Sequence, residues 1–276
     1  MANLFRKQAQ SYATARPTYP LELFRYIASK CPGRRLAWDA GTGSGQAAAS
    51  LSAGPGRGNA AASLSSIFDS VIATDVSPEQ LSHTPSQIPN IRFILTPPFL
   101  PLADLHRLVA PPASIDLITV AQALHWFDLP TFFAQARSML SPGGVLAAWC
   151  YTRAVIDDGR SRADEIYREI YAESGPYWAE ERKMVEEGYV GVEFPFRAVE
   201  GEEGTGPVVR FATEREMTAA DFLEYVRSWS AYQTAREKGV ELLTDEVKEE
   251  LGRARGDDGE ETKLVRFPIS LRIGRI

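Results

Sequence analysis

The sequence predicts an α/β fold in which a doubly wound, mostly parallel sheet carries helices on both faces and a helical cap. Three observations predict it. Five short apolar runs (Leu36 to Trp38, Val71 to Thr74, Ile91 to Leu95, Ile115 to Val120, Val145 to Cys150) are separated by helical segments, and such alternation calls for parallel strands joined by right-handed crossovers. The first run leads through Asp39 into Gly41, Gly43 and Gly45 of LAWDAGTGSGQAA, a strand followed by a turn bare of side chains. Leu264 to Ile276 alternates well enough for a last strand, expected to be antiparallel at the end of the sheet.

The chain has 276 residues and a formal charge of −6, enough length for a full core and no basic footprint for nucleic acid. Only Cys31 and Cys150 are present, which excludes a disulfide framework and a cysteine metal cluster and fits a reducing compartment. The opening residues lack the apolar core of a signal peptide, and no stretch reaches the roughly 18 unbroken apolar residues of a membrane helix. A soluble, cytoplasmic protein is expected, with no membrane partner.

Ala9 to Pro20 (AQSYATARPTYP) reads as an aromatic arm stiffened by Pro17 and Pro20. Phe24, Ile27 and Ala28 then fall at helical spacing, and Pro32-Gly33 ends that helix before the first strand. Gln46 to Leu51 predicts the first turns of a helix, while Ser52 to Ser66 (SAGPGRGNAAASLSS) reads as a flexible surface connection. The second strand ends at Asp75, and Ser77-Pro78-Glu79-Gln80 has the form of a capping box. After the third strand come Pro97, Pro98 and Pro101, then a short amphipathic segment around Leu105 and Val109. Asp128 is placed to cap a helix from about Pro130 to Leu140, with Phe132, Phe133, Ala136, Met139 and Leu140 on its buried face. Ser141-Pro142-Gly143-Gly144 predicts a turn into the fifth strand.

Beyond Cys150 the alternation stops. Helices are expected at Ala163 to Ser174 and Ala179 to Glu187, β-like runs at Val192 to Val199 and Val208 to Thr213, a capped helix from Thr218, and another from about Thr244 to Leu251. The expected organisation is one domain: an arm or lid over residues 1–30, a ligand-binding core over 31–150, a cap over 151–230, and a C-terminal helix and strand over 231–276. A separate domain in place of the cap is the alternative.

Ligands of such sheets lie beyond the carboxyl ends of the strands, so Asp39, Asp75 and the exits of the third and fourth strands should share one edge. Strand, bare turn and helix N-terminus describe a nucleotide-cofactor site. The spacing G-x-G-x-G departs from the dinucleotide fingerprint G-x-G-x-x-G and argues against NAD. A carboxylate such as Asp75 at the end of the next strand can accept both hydroxyl protons of a ribose.

An acidic residue just before G-x-G-x-G, followed by Asp75 between VIAT and VSPEQL, resembles the class I S-adenosylmethionine (SAM) methyltransferases. YATARPTYP, AWDAGTGSGQAA, ATDVSPEQL, TVAQALHWFD, SPGGVLAAW and RSWSAY together resemble the small-molecule branch that includes the trans-aconitate methyltransferases, particularly its plant-like members. The resemblance covers nearly the whole chain and implies a Rossmann-like, seven-stranded sheet. It implies SAM as cofactor, S-adenosylhomocysteine as product and no metal. The cofactor-binding positions it implies are Asp39, Gly41, Thr42, Gly43, Gly45, Asp75, Val76, Thr96, Ala121 and Gln122. Two departures stand out: the Gly/Ala-rich insertion after Leu51, and Pro97 where many relatives carry an acidic residue on the adenine side.

The expected function is methyl transfer from SAM to a small molecule, with O-methylation of a small organic acid or specialised metabolite favoured. The alternatives are a cyclase or isomerase that uses SAM without transferring its methyl group, and a binding-only regulatory member. A phenol, alcohol or ammonium acceptor needs a base, and His125 in HWFD is the candidate base or substrate orienter. Arg16 offers a cation for an acidic substrate or the cofactor carboxylate. Tyr12 and Tyr19 flank it as parts of a lid, and Trp126 and Trp229 are candidate pocket walls.

Overall fold

The computed structural model describes residues 17–43, 60–82, 84, 88–157, 159, 161–255 and 261–276. Among them an eight-stranded sheet is built from β1 (Leu36–Ala40), β2 (Ser70–Asp75), β3 (Ile91–Leu95), β4 (Ile115–Ala121), β5 (Leu140–Tyr151), β6 (Val155–Ile156), β7 (Val208–Met217) and β8 (Lys263–Arg275). Its order is β3-β2-β1-β4-β5-β8-β6, with β7 on the other edge of β8. The ladders through β3, β2, β1, β4 and β5 are parallel, and β8 runs antiparallel to β5, β6 and β7. The last strand is therefore antiparallel as expected, and the two-residue β6 raises the count from the seven expected to eight.

Along each central strand successive side chains go to opposite cores, as a pleated strand requires. Ala37, Val71, Leu117, Val145 and Ala147 face one core, and Trp38, Ile72, Ile118, Leu146 and Ala148 face the other. The first core is covered by α1 (Leu21–Ser29), α2 (Ala60–Ser65), α6 (Arg162–Glu173), α8 (Ala219–Arg227), α9 (Ser230–Glu237) and α10 (Asp245–Arg255). The second lies under α4 (Leu102–Leu108), α5 (Leu129–Met139) and α7 (Arg182–Glu186). A sheet buried on both faces explains why its strands read as unbroken apolar runs.

Local chemistry sets several boundaries. Asp128 accepts from the Thr131 backbone N–H at 3.0 Å and starts α5. Thr218 and Asp221 form a reciprocal capping box at α8. Ser77 Oγ accepts from the Gln80 backbone N–H at 3.1 Å and starts α3 (Pro78–Ser82).

Four expectations are corrected. Residues 60–65 of the supposed surface connection form α2, because Ala60, Ala61 and Leu64 share a buried face and alanine favours helix. Ser141 to Gly144 bulge out of β5 without ending it, since Ile115 pairs with Leu140 and Leu117 with Val145. Val192 to Val199 is irregular apart from a bridge between Arg197 and Arg275. Pro195 removes a ladder donor there, and Phe194 and Phe196 are both buried. The helix expected at Ala179 to Glu187 shortens to Arg182–Glu186.

Candidate active site

The parallel strands end along one edge, where their exits and the residues before α1 enclose a cavity of about 370 Å³. Its wall takes Gly41, Thr42 and Gly43 after β1, Asp75 and Val76 at β2, Thr96 after β3, and Ala121 and Gln122 at β4. Tyr19 and Trp126 also line it. Separated segments of sequence thus meet in one volume, of a size suited to a small organic ligand.

The turn after β1 is fixed by backbone chemistry. The N–H groups of Gly41 and Thr42 both donate to Thr74 O at 2.9 Å, and the Gly43 N–H donates to Asp75 Oδ2 at 2.7 Å. Gly41 and Gly43 have φ of 72° and 69°, the left-handed region open to glycine without a Cβ penalty. A Cβ on Gly41 would sit 2.8 Å from the Ala123 Cβ, whereas one on Gly43 would meet nothing within 4 Å. Gly41 is therefore a packing requirement, and Gly43 leaves room beside Asp75.

Asp75 also accepts from the Ser77 N–H at 2.9 Å through Oδ1. Burial raises its pKa, and the N–H donors of Ser77 and Gly43 counter that rise. Asp39 lies deeper, wholly buried, with Oδ1 accepting from the Thr119 hydroxyl at 2.6 Å. Burial pushes its pKa up to about 6 against the opposing Thr119 and Thr42 hydroxyls, and the neighbouring Asp75 adds to the rise. The Gln80 side-chain carbonyl is buried without a hydrogen-bond partner among the described residues. Gln80 is itself part of the cavity wall. A buried acceptor of this kind ordinarily finds a partner, so a donor bound in the cavity would complete it.

Gln122 holds a left-handed backbone at φ 55°. Its N–H donates to Trp149 O and its side-chain carbonyl accepts from the Tyr151 N–H, both at 2.8 Å, tying the ends of β4 and β5 together. Tyr19 packs edge-on against Trp149, with ring centroids 5.5 Å apart, which anchors the end of the N-terminal arm on the core.

Two expected substrate residues lie elsewhere. His125 is 6% exposed and sits behind the wall, its Nδ1 3.1 Å from the Tyr189 hydroxyl and its ring 4.6 Å from that of Trp126. Burial, with the Arg182 charge, lowers its pKa to about 3. The imidazole is thus neutral, and Trp126 presents the surface that was expected of His125. Trp229 is 1% exposed and packs among Tyr167, Tyr171, Trp178 and Tyr225 rather than in the cavity wall. Tyr12, Arg16 and Gly45 lie outside the described residues.

The cavity adds residues not anticipated as site residues, among them Tyr151, Gln80, Leu100, Phe127 and Phe132. Tyr151 was open to prediction, because it ends β5 at the same carboxyl edge as the other strand exits. Gln80 was visible only as a capping residue. Phe127 and Phe132 reach the site through the turn before α5 and its first turns, which no strand-end rule identifies.

With this geometry in view, a family profile described as a methyltransferase domain matches residues 51–148. A Dictyostelium discoideum protein designated a methyltransferase is 30% identical over 276 residues, covering 98% of this chain and 94% of its own. A Saccharomyces cerevisiae protein designated an S-adenosylmethionine-dependent methyltransferase is 25% identical, covering 88% of this chain and 87% of its own. A solved structure designated a type II methyltransferase from Anaeromyxobacter dehalogenans superposes with a TM-score of 0.74 at 33% identity, covering 94% of this chain and 97% of its own. Among the described residues, no helix is long and apolar enough to cross a membrane.

Proposed function

This chain belongs to the SAM-dependent methyltransferases, and from that premise we propose that it transfers the methyl group of SAM to an oxygen of a small organic acid or a comparable specialised metabolite. The observation that carries the proposal is the shared cavity. Its proposed cofactor side (Gly41 to Gly43, Asp75, Val76, Thr96, Ala121 and Gln122) and its proposed acceptor side (Tyr19, Trp126 and Tyr151) line one cavity.

The donor set fits the cofactor. Asp75, in the arrangement set by Gly43 and Ser77, is the acceptor for a ribose diol. The buried carboxylate of Asp39 beneath the turn favours a cationic ligand above it. When bound, SAM supplies a methyl group already made electrophilic by its sulfonium. What remains for the protein is alignment and exclusion of water. Positioning of this kind contributes up to roughly 7–11 kcal/mol. The wall from Tyr19 across Trp126 to Tyr151 encloses the acceptor, and Gln122 fixes the relative position of the β4 and β5 ends.

With His125 neutral and behind Trp126, the reading favours an acceptor that needs no base. A carboxylate, ionised at neutral pH, meets that condition. His125 then acts as a positioning residue that sets Trp126. Arg16 and Tyr12 remain proposed substrate contacts. Incubating the protein with methyl-labelled SAM and a panel of small acids, phenols and amines tests this by product mass. Methylated carboxylic acids support it. Transfer confined to amines, or turnover of a substrate in the presence of SAM without mass gain, overturns it.

A further inference from the structure

Gly188 and Tyr189 follow α7 with φ of 59° and 61°. The glycine is an ordinary helix stop, since the left-handed region carries no Cβ penalty for it. The tyrosine is not. It is a large, wholly buried ring on a backbone conformation that costs free energy for any residue with a side chain. Such an outlier persists only where its surroundings hold it.

Two side chains of β8 hold it. Ser270 Oγ donates to Gly188 O and Arg272 Nη1 donates to Tyr189 O, both at 2.6 Å. The fit is close, because a Cβ on Gly188 would sit 2.8 Å from Ser270 Oγ. Arg272 is a second costly feature. It is 5% exposed, its guanidinium lies over the Phe194 ring, and its Nε has no hydrogen-bond partner among the described residues. No carboxylate among those residues pairs with it either. A buried charge ordinarily has a counter-charge; here the carbonyls of Tyr189 and, at 3.4 Å, Val190 take that place. An apolar side chain would pack at this position without the cost of burying a charge.

What the turn delivers is the Tyr189 hydroxyl. It lies 3.1 Å from His125 Nδ1 and against the backbone N–H groups of Leu124 and His125. It therefore grips the 3-10 turn Leu124–Trp126 by side chain and main chain together. The His125 ring backs that of Trp126, which lines the cavity, whereas Ser270, Arg272 and Tyr189 are not part of the cavity wall. We infer that Ser270 and Arg272 are positioning residues for the acceptor wall: through the left-handed turn at Gly188-Tyr189, and then through His125, they set where Trp126 stands. The inference rests on the reading of Trp126 as acceptor wall and adds a control point on the last strand, outside the cavity.

The test needs no methyl acceptor. The indole N–H signals of the five tryptophans are followed by NMR in wild type, Arg272→Met, Tyr189→Phe and Val190→Ala, with Trp126→Phe to identify the Trp126 signal. S-adenosyl-L-homocysteine is titrated calorimetrically into the same proteins. Arg272→Met keeps an apolar contact with Phe194 but gives up the donors, and Tyr189→Phe removes the hydroxyl alone. Both should move the Trp126 signal by more than its linewidth, leave those of Trp38 and Trp229 in place, and bind the compound within about threefold of wild type. Val190→Ala, exposed on the same turn, should move no signal. Ser270→Ala, which deletes only a hydroxyl, takes the place of Arg272→Met if that variant does not fold. A Trp126 signal unmoved in the folded variants overturns the inference while the function reading stands. Movement of Trp38 and Trp229 along with Trp126 is general loosening and overturns it as well. A Trp126 shift accompanied by a larger loss of affinity places the clamp on the cofactor side and overturns the acceptor role. A wild-type protein that does not bind the compound overturns the function reading and the inference together.

Discussion

Asp39 places a carboxylate where burial opposes its charge, and that cost should be measurable. Its pKa is near 6 in the fold against an ordinary 3.8, so the folded state keeps a proton that the unfolded chain releases between those values. Stability should fall as pH rises through that window and level off above it. Asp39→Asn removes the penalty, and thermal or urea unfolding of the ligand-free protein should show a gain of roughly 1–3 kcal/mol above pH 6, shrinking towards pH 4. The same substitution should weaken SAM binding and flatten its pH dependence. Wild-type affinity should decline below pH 6 as the carboxylate is protonated. A variant no more stable than wild type at pH 7 would show that Asp39 is not destabilised by its burial. His125 works in the opposite direction. Its pKa drops from 6.5 to about 3 on folding, so the stability it contributes is complete above 6.5 and is lost as pH falls. Between pH 6.5 and 5 that loss is about 2 kcal/mol. His125→Gln, which retains an acceptor for Tyr189, should be less acid-sensitive, and wild-type turnover should show no ionisation near 6.5 that the variant lacks. A rate limb near 6.5 that disappears in His125→Gln would restore the histidine as a base.

The glycine turn shows how an element combines packing with access. Gly41 and Gly43 share a left-handed φ, but only at Gly41 would a Cβ strike a neighbour. Gly43→Ala should cost about 1 kcal/mol in urea unfolding from backbone strain, and Gly41→Ala roughly 1–3 kcal/mol more from the contact with Ala123. Equal losses would mean that the loop moves away from Ala123 freely. This turn was legible in the sequence because glycine, a preceding strand and a carboxylate each leave a local signature. So were the caps at Asp128 and at Thr218 with Asp221. Helix α2 was not, since Ala60, Ala61 and Leu64 sit in a run of small residues whose composition imitates a linker. His125 was misplaced for a related reason. HWFD announces a strand exit, but whether the histidine or the tryptophan faces the cavity depends on the short 3-10 turn at Leu124–Trp126 and on Tyr189, 64 residues further along the chain.

Across the whole molecule, the parallel half of the sheet was predictable because its five strands are buried on both faces and alternate with helices. The carboxyl-edge rule brings Gly41, Asp75, Thr96 and Gln122 into one cavity wall, while Asp39 is buried beneath it. The region after Tyr151 follows no comparable rule. Its rings form one packed cluster, in which Trp229 meets Tyr167, Tyr171, Trp178 and Tyr225, and sequence alone does not separate a ring that lines a pocket from one that fills a core. A β-like run such as Val192 to Val199 is also decided by one proline and by the bridge to β8. The central claim is that the edge formed by β1, β2, β3 and β4 is the SAM site, with Asp75 as its anchor. Calorimetric titration of SAM into wild type and Asp75→Ala, with a melt to confirm that the variant is folded, tests it most directly. Wild type should bind, and the folded variant should lose at least about a hundredfold in affinity, on the order of the loss of two charge-assisted hydrogen bonds. Unchanged affinity in a folded Asp75→Ala protein would contradict it.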